Sequence, residues 1–197
     1  MGKKINLAVF ASTKGTDLQG VIDSIRLGEL DFVDLKFVLS DKKNAYALTR
    51  AREAGYKTVF VDPKGKSREE FDRECLAICQ AHEIDLILLI GYMRLLSEPF
   101  VRAYKNRIMN IHPSLLPKYP GMDLDVHQAV LSAGETETGC TLHFIDEGVD
   151  TGPIILQQKV AVAKDETVES LKAKVQAKEQ EVILAGLKMF AEDKIKV

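Results

Sequence analysis

Tryptophan is absent from this 197-residue chain and cysteine nearly so, with Cys75, Cys79 and Cys140 the only three. Three thiols cannot all pair internally, and their spacing is not that of a disulfide framework, which excludes the small disulfide-stapled scaffolds. No apolar run approaches the ~20 residues that a membrane-crossing helix requires. The stretch Ile5 to Ala11 behind Lys3 and Lys4 is also too short for the core of a secretion signal. Neither sign of charge is in excess, since 27 Lys and Arg face 29 Asp and Glu for a formal net charge of −2. Non-specific nucleic-acid or anionic-membrane binding draws on a basic surplus, so neither is expected here. What is present is a globular composition, 46% hydrophobic and 28% charged, without repeats, low-complexity segments or linkers. One domain spanning 1–197 and a cytoplasmic setting are the expectations.

Short apolar runs alternate with longer amphipathic segments. Strands are predicted at Ile5–Phe10, Val33–Leu39, Lys57–Val61, Asp85–Ile90, Ile108–Ile111, Thr141–Ile145 and Ile154–Val162. Helices are predicted at Leu18–Arg26, Ala45–Glu53, from Ser67, near Pro99–Tyr104, at Val126–Ala133 and over Thr167–Phe190. Ser67 with Glu70 has the spacing of a capping box, in which each residue satisfies a backbone donor of the other. Pro113, Pro117, Pro120 and Gly121 rule out regular structure between the fifth strand and the next helix. The alternation predicts an α/β fold, a Rossmann-like, doubly wound and mostly parallel sheet with helices on both faces and a long C-terminal helix. Ligands of such sheets bind beyond the carboxyl ends of the strands, so the loops after Phe10, Ile90, Ile111 and Ile145 are the segments to inspect.

Thr13-Lys14-Gly15-Thr16-Asp17 opens the first helix and suits an anion held by backbone N–H groups, or equally a simple N-cap and tight turn. The glycine spacings there and at Gly65-Lys66-Ser67 match neither the dinucleotide fingerprint nor the Walker pattern. Cys75, Cys79 and His82 share a helical face, but no second ligand pair follows at zinc-site spacing, and core residues beside a satisfied histidine are expected. His127 has no partner in sequence and reads as a surface or half-buried histidine. Asn110 and His112 are different in kind. They stand two residues apart at a strand end, so their side chains point the same way. An amide donor beside an imidazole is what a tetrahedral oxyanion needs, although a polar pair stapling a loop has the same signature. The acidic loop Asp146 to Pro153 lies at another strand end, and an aspartate there could orient the histidine or simply form the turn before Gly152-Pro153.

Asn110-Ile-His-Pro-Ser-Leu-Leu-Pro117, Gly139-Cys-Thr-Leu-His-Phe144 and Asp150-Thr-Gly-Pro-Ile-Ile-Leu-Gln157 together resemble the motifs of the 10-formyltetrahydrofolate-dependent formyltransferases, over nearly the whole chain. The resemblance implies 10-formyltetrahydrofolate as co-substrate, phosphoribosylglycinamide as acceptor, and no metal, nucleic-acid or membrane partner; it fixes no oligomeric state. It implies Asn110, His112 and Asp150 as a catalytic trio, with His112 kept protonated by Asp150. Folate is expected against Arg68, Met93, Arg94, Leu95, Leu96 and Asn110, and against the loop of Asp146, Glu147, Gly148, Val149 and Asp150. The acceptor is expected at Lys14, Gly15, Thr16 and Asp17, and at Gln176 and Glu179. One segment departs from the family pattern. Where relatives usually have Gly-Asn-Gly-Ser-Asn or a near variant, this chain has Thr13 to Asp17, and an aspartate facing a phosphate repels it. Asp17 is therefore expected to turn away as a helix cap, with Lys14 as the phosphate partner. The alternatives are another amine acceptor, or a non-catalytic nucleotide-binding module of the same fold.

Overall fold

The run Leu-Ile-Leu-Leu at 86–89 is buried at every position, which follows from a central strand covered on both faces by helices. The computed structural model describes residues 4–121 and 125–196. In chain order its elements are β1 (Ile5–Phe10), α1 (Thr16–Arg26), β2 (Val33–Ser40), α2 (Tyr46–Glu53), β3 (Thr58–Phe60), α3 (Arg68–Ala81) and β4 (Leu86–Leu89). There follow α4 (Glu98–Ala103), β5 (Ile108–His112), α5 (Val126–Ser132), β6 (Glu137–Phe144), β7 (Ile154–Ala161) and α6 (Val168–Ala191). The strands form one sheet in the order β3-β2-β1-β4-β5-β6-β7. Alternate residues of each strand enter different cores. Ile5, Leu7 and Val9 pack with α1, α2, α5 and α6, whereas Ala8 and Phe10 pack with α3 and α4.

Strands β1 to β5 pair in parallel, but β5–β6 and β6–β7 are antiparallel. The sequence carries the parallel half plainly and does not mark this antiparallel edge. β6 also begins at Glu137 instead of Thr141, because Glu137 to Gly139 find backbone partners in Ala161 to Lys159 of β7. Tertiary pairing here overrides weak local strand propensity. The predicted capping box is present, with Ser67 Oγ accepting from Glu70 N at 3.2 Å and the Glu70 carboxylate accepting from Ser67 N at 2.8 Å. Cys75 and Cys79 are fully buried, and His82 is satisfied by the Ile78 carbonyl at 2.9 Å and Lys57 Nζ at 2.7 Å. Among the described residues no helix is long and apolar enough to cross a membrane.

β1 lies between β2 and β4, so the chain reverses its direction of winding there, and the loops leaving β1 and β4 part to open a crevice.

Candidate active site

Ser12, just past β1, ties together the loops at this end of the sheet. Its N–H donates to the Gly91 carbonyl at 3.1 Å, and its hydroxyl donates to Asp41 Oδ1 at 2.6 Å while accepting from Met93 N at 2.9 Å. Two glycines permit the close fit. Gly91 has φ 55° and a Cβ there would fall 2.4 Å from Thr13 Oγ1; Gly15 has φ 63° and its Cβ would fall 2.7 Å from that of Ala47. The result is a cleft of about 660 Å³.

Every site residue expected from the sequence lies on its wall. At one end are Arg68, Met93, Arg94, Leu95 and Leu96, facing the loop Asp146 to Asp150. Met93, Leu95 and Val149 are large apolar side chains left exposed, a surface suited to a flat, partly apolar ring. The Arg94 guanidinium lies 4.2 Å over the Phe71 ring, and buried Asp72 accepts from Ser97 N, which anchors the end of this segment. In the opposing loop Asp146 Oδ1 accepts from Gly148 N at 3.0 Å and Thr151 Oγ1 at 2.8 Å.

At the centre, the end of β5 presents Asn110 and His112 to the cleft. Of the two, His112 holds the far end of the proline-rich loop at Tyr119, and other side chains staple its start. Thr141 and Gln157 do that, Thr141 Oγ1 donating to the Ser114 carbonyl at 2.6 Å and Gln157 Nε2 to the Leu116 carbonyl at 2.9 Å. The loop then returns over His112. Its Nε2 donates to the Tyr119 carbonyl at 2.7 Å and its Nδ1 lies 3.3 Å from Asp150 Oδ2, so both ring nitrogens face acceptors and the charged imidazolium suits the setting. Asp150 Oδ2 also accepts from Gly121 N at 2.8 Å, and Asp150 has φ 54°. Burial works to raise the Asp150 pKa, but the contacts with His143, the Gly121 amide and His112 together hold it below the usual carboxylate value.

His143 completes the network and was not anticipated from the sequence. It is fully buried on β6 opposite Asn110, with Nε2 3.2 Å from Asn110 Nδ2 and 3.5 Å from Asp150 Oδ1. Its Nδ1 faces the Phe144 carbonyl at 2.9 Å and must donate there. Nε2 then stands between the Asn110 amide and the Asp150 carboxylate, and its contact with Asn110 Nδ2 holds that amide at the edge of the cleft.

At the other end α1 and α6 supply the wall. Here the expectation for Asp17 is corrected. The N-cap of α1 is Gly15, no side chain caps the helix, and Asp17 lies in the first turn with 7% exposure. It points inward because the opposite helix, not the free backbone N–H groups, covers that face. Burial raises Asp17 to about 6, and burial together with the Asp17 charge raises Glu179 on α6 to about 8. Gln176 and Lys172 line the same wall. His127, unremarkable in sequence, stands there with a buried Nδ1 that has no partner, and burial lowers its pKa. Lys14 is exposed at the rim, its carbonyl accepting from Arg50 Nε at 2.9 Å.

Comparison with known proteins gives the family. Residues 5–187 match the family model described as formyl transferase. The trifunctional purine biosynthetic protein adenosine-3 of Drosophila melanogaster is 42% identical over 95% of this chain, which spans 14% of that protein's length. The phosphoribosylglycinamide formyltransferase of Escherichia coli K12 is 37% identical over 98% of the chain and 90% of its own length. The crystal structure of glycinamide ribonucleotide transformylase 1 from Symbiobacterium toebii superposes with a TM-score of 0.95 at 41% identity, covering 100% of this chain and 92% of that one. Since the family match runs from β1 into the last turns of α6 and takes in the whole wall of the cleft, this chain belongs to the formyl transferase family.

Proposed function

We propose that the chain transfers the formyl group of 10-formyltetrahydrofolate to the amine of phosphoribosylglycinamide, a step of purine synthesis. The observation that carries this reading is the pair of N–H donors, from Asn110 and His112, at the middle of a cleft with an apolar end and a polar end. The apolar end, with Met93, Leu95 and Val149, takes the folate ring. The α1–α6 end takes the phosphorylated acceptor.

The neutral amine attacks the formyl carbon, and the carbonyl oxygen becomes an oxyanion. The free N–H of Asn110 donates to it, and His112 Nε2–H exchanges the Tyr119 carbonyl for the same oxygen. One proton leaves the attacking nitrogen and one arrives at the departing folate nitrogen as the old carbon–nitrogen bond breaks. His112 relays it, directly or through water, while Asp150 holds the imidazolium in place. The activated formyl group arrives already attached to the folate.

Loss of formyl from 10-formyltetrahydrofolate, followed with and without phosphoribosylglycinamide, tests the reading. Loss only with the amine supports transfer, loss without it means hydrolysis, and no loss under either condition means a binding module. Within this reading Lys14 meets the acceptor's phosphate together with the backbone N–H groups at the start of α1. Lys14→Ala is expected to raise the KM for the acceptor about tenfold, the scale of a hydrogen bond to a charged group, and to leave the KM for formyl-folate unchanged. Equal changes in both constants would indicate a folding defect, and no change in either would leave the phosphate to the backbone alone.

A further inference from the structure

Two acids meet at the acceptor end of the cleft. Asp17 lies in the first turn of α1 and Glu179 in the middle of α6, and the two helices approach where Gly20 faces Gln180. A Cβ on Gly20 would fall 3.1 Å from the Gln180 side chain. Asp17 and Glu179 line the same wall of the cleft near this approach, close enough for the Asp17 charge to act on Glu179. Both line the cleft, at 7% and 8% exposure, and Asp17 Oδ1 has no hydrogen-bond partner.

The groups facing them do little to neutralise two charges. Lys172, on α6 itself, is the cation whose charge acts on Glu179. The Cys140 thiol of β6 lies beneath both acids, with its pKa pushed up to about 12 by burial. Arg50 of α2 is occupied by the Lys14 carbonyl and Gln19. His127 of α5 has its pKa lowered by burial, which disfavours its charged form. Two carboxylates buried together in such a place repel, and the arrangement is relieved when one takes a proton. The protonated acid is then a donor where a carboxylate only accepts.

We propose that Asp17 and Glu179 hold one proton between them, and that this acid pair recognises the polar hydroxyl and amide groups of the phosphorylated acceptor through its O–H and its one remaining charge. The inference rests on the acceptor reading given above. It makes acceptor binding the pH-sensitive event at this end of the cleft. Above about pH 8, where Glu179 also ionises, the pair carries two charges, loses its donor and repels the acceptor's phosphate. Binding there must take up a proton.

Calorimetric titration of phosphoribosylglycinamide into the full chain between pH 6 and about 9.5, in buffers of different ionisation heat, reads that proton directly. Asp17→Asn keeps the shape and supplies a fixed N–H donor in place of the shared O–H, but removes the shared proton, and Glu179→Gln does the same from the other side. Ionisation of the acceptor's own amine and phosphate is common to all three proteins and cancels in the ratio. The Kd of the wild type relative to either variant is expected to rise about tenfold per pH unit above pH 8, with up to one additional proton taken up per complex. The same ratio for formyl-folate should stay flat. A flat ratio for an acceptor that binds and is formylated overturns the shared-proton inference alone. An acceptor that fails to bind the wild type at any pH overturns the acceptor reading and this inference with it.

Discussion

His112→Ala is expected to lower turnover by about a hundredfold or more, with the KM values for both substrates changed by no more than a few-fold. The expectation follows from how completely the imidazole is used. It is 5% exposed, and its two nitrogens meet the Tyr119 carbonyl at 2.7 Å and the Asp150 carboxylate at 3.3 Å. Among the described residues at the centre of the cleft, His112 is the group that combines a mobile proton with a carboxylate behind it. In the reaction proposed above, its removal takes away one of two oxyanion donors and the relay between the attacking and departing nitrogens. The folate end and the α1–α6 end are untouched, so substrate binding persists. The change also leaves the Tyr119 carbonyl and one edge of Asp150 without their donor, a cost of about 1–3 kcal/mol per buried group that a thermal melt would register. Measuring kcat under saturating substrates, at a temperature where the variant is folded, separates the two effects. A kcat within a few-fold of wild type would mean that Asn110 and the cleft suffice and that the relay assigned to His112 is wrong.

Much of this arrangement is legible in the sequence because it depends on local rules. Asn110 and His112 share a direction because strand side chains alternate, and the prolines after them end the strand where a site must open. Ser67 and Thr167 mark helix starts through their own hydroxyls, with partners only three residues away. The missing pieces depend on contacts between distant segments. His143 joins the site because β6 runs antiparallel to β5 with His143 opposite Asn110, a register that no local pattern in 137–144 reveals. Its place in the motif Gly139 to Phe144 was the available signal, but not the role. Asp17 was expected at a helix cap because aspartate near an N-terminus usually serves there. It is buried instead because α6, some 160 residues later, closes over that side of α1. The need for glycine at position 91 likewise comes from a distant residue, Thr13, pressed against it.

Asp150→Asn should reduce turnover on the order of a thousandfold, because no orientation of the amide reproduces what the carboxylate does. Asp150 Oδ2 accepts from Gly121 N at 2.8 Å and faces His112 Nδ1 at 3.3 Å, while Oδ1 faces His143 Nε2 at 3.5 Å. If the amide oxygen takes the place of Oδ2, the new N–H₂ stands against His143 Nε2 where a carboxylate oxygen stood, and it crowds the Asn110 amide on the same nitrogen. Asn110 then loses the partner that fixes its own orientation, and the oxyanion loses a positioned donor. If the amide turns over, its N–H₂ meets the Gly121 N–H and the His112 N–H, donor against donor. Either way the negative charge that steadies the imidazolium is gone, so two donors suffer from one substitution. The KM values should stay within a few-fold, since neither end of the cleft is touched. Stability has its own pH signature. The folded protein holds Asp150 below the usual carboxylate value, so its contribution is fully present above about pH 4 and is lost as pH falls through the folded value. The gap in Tm between wild type and Asp150→Asn is therefore expected to narrow below about pH 4. A variant that turned over within tenfold of wild type, or a Tm gap unchanged down to pH 3, would show that Asp150 neither supports His112 nor sits ionised between the two histidines.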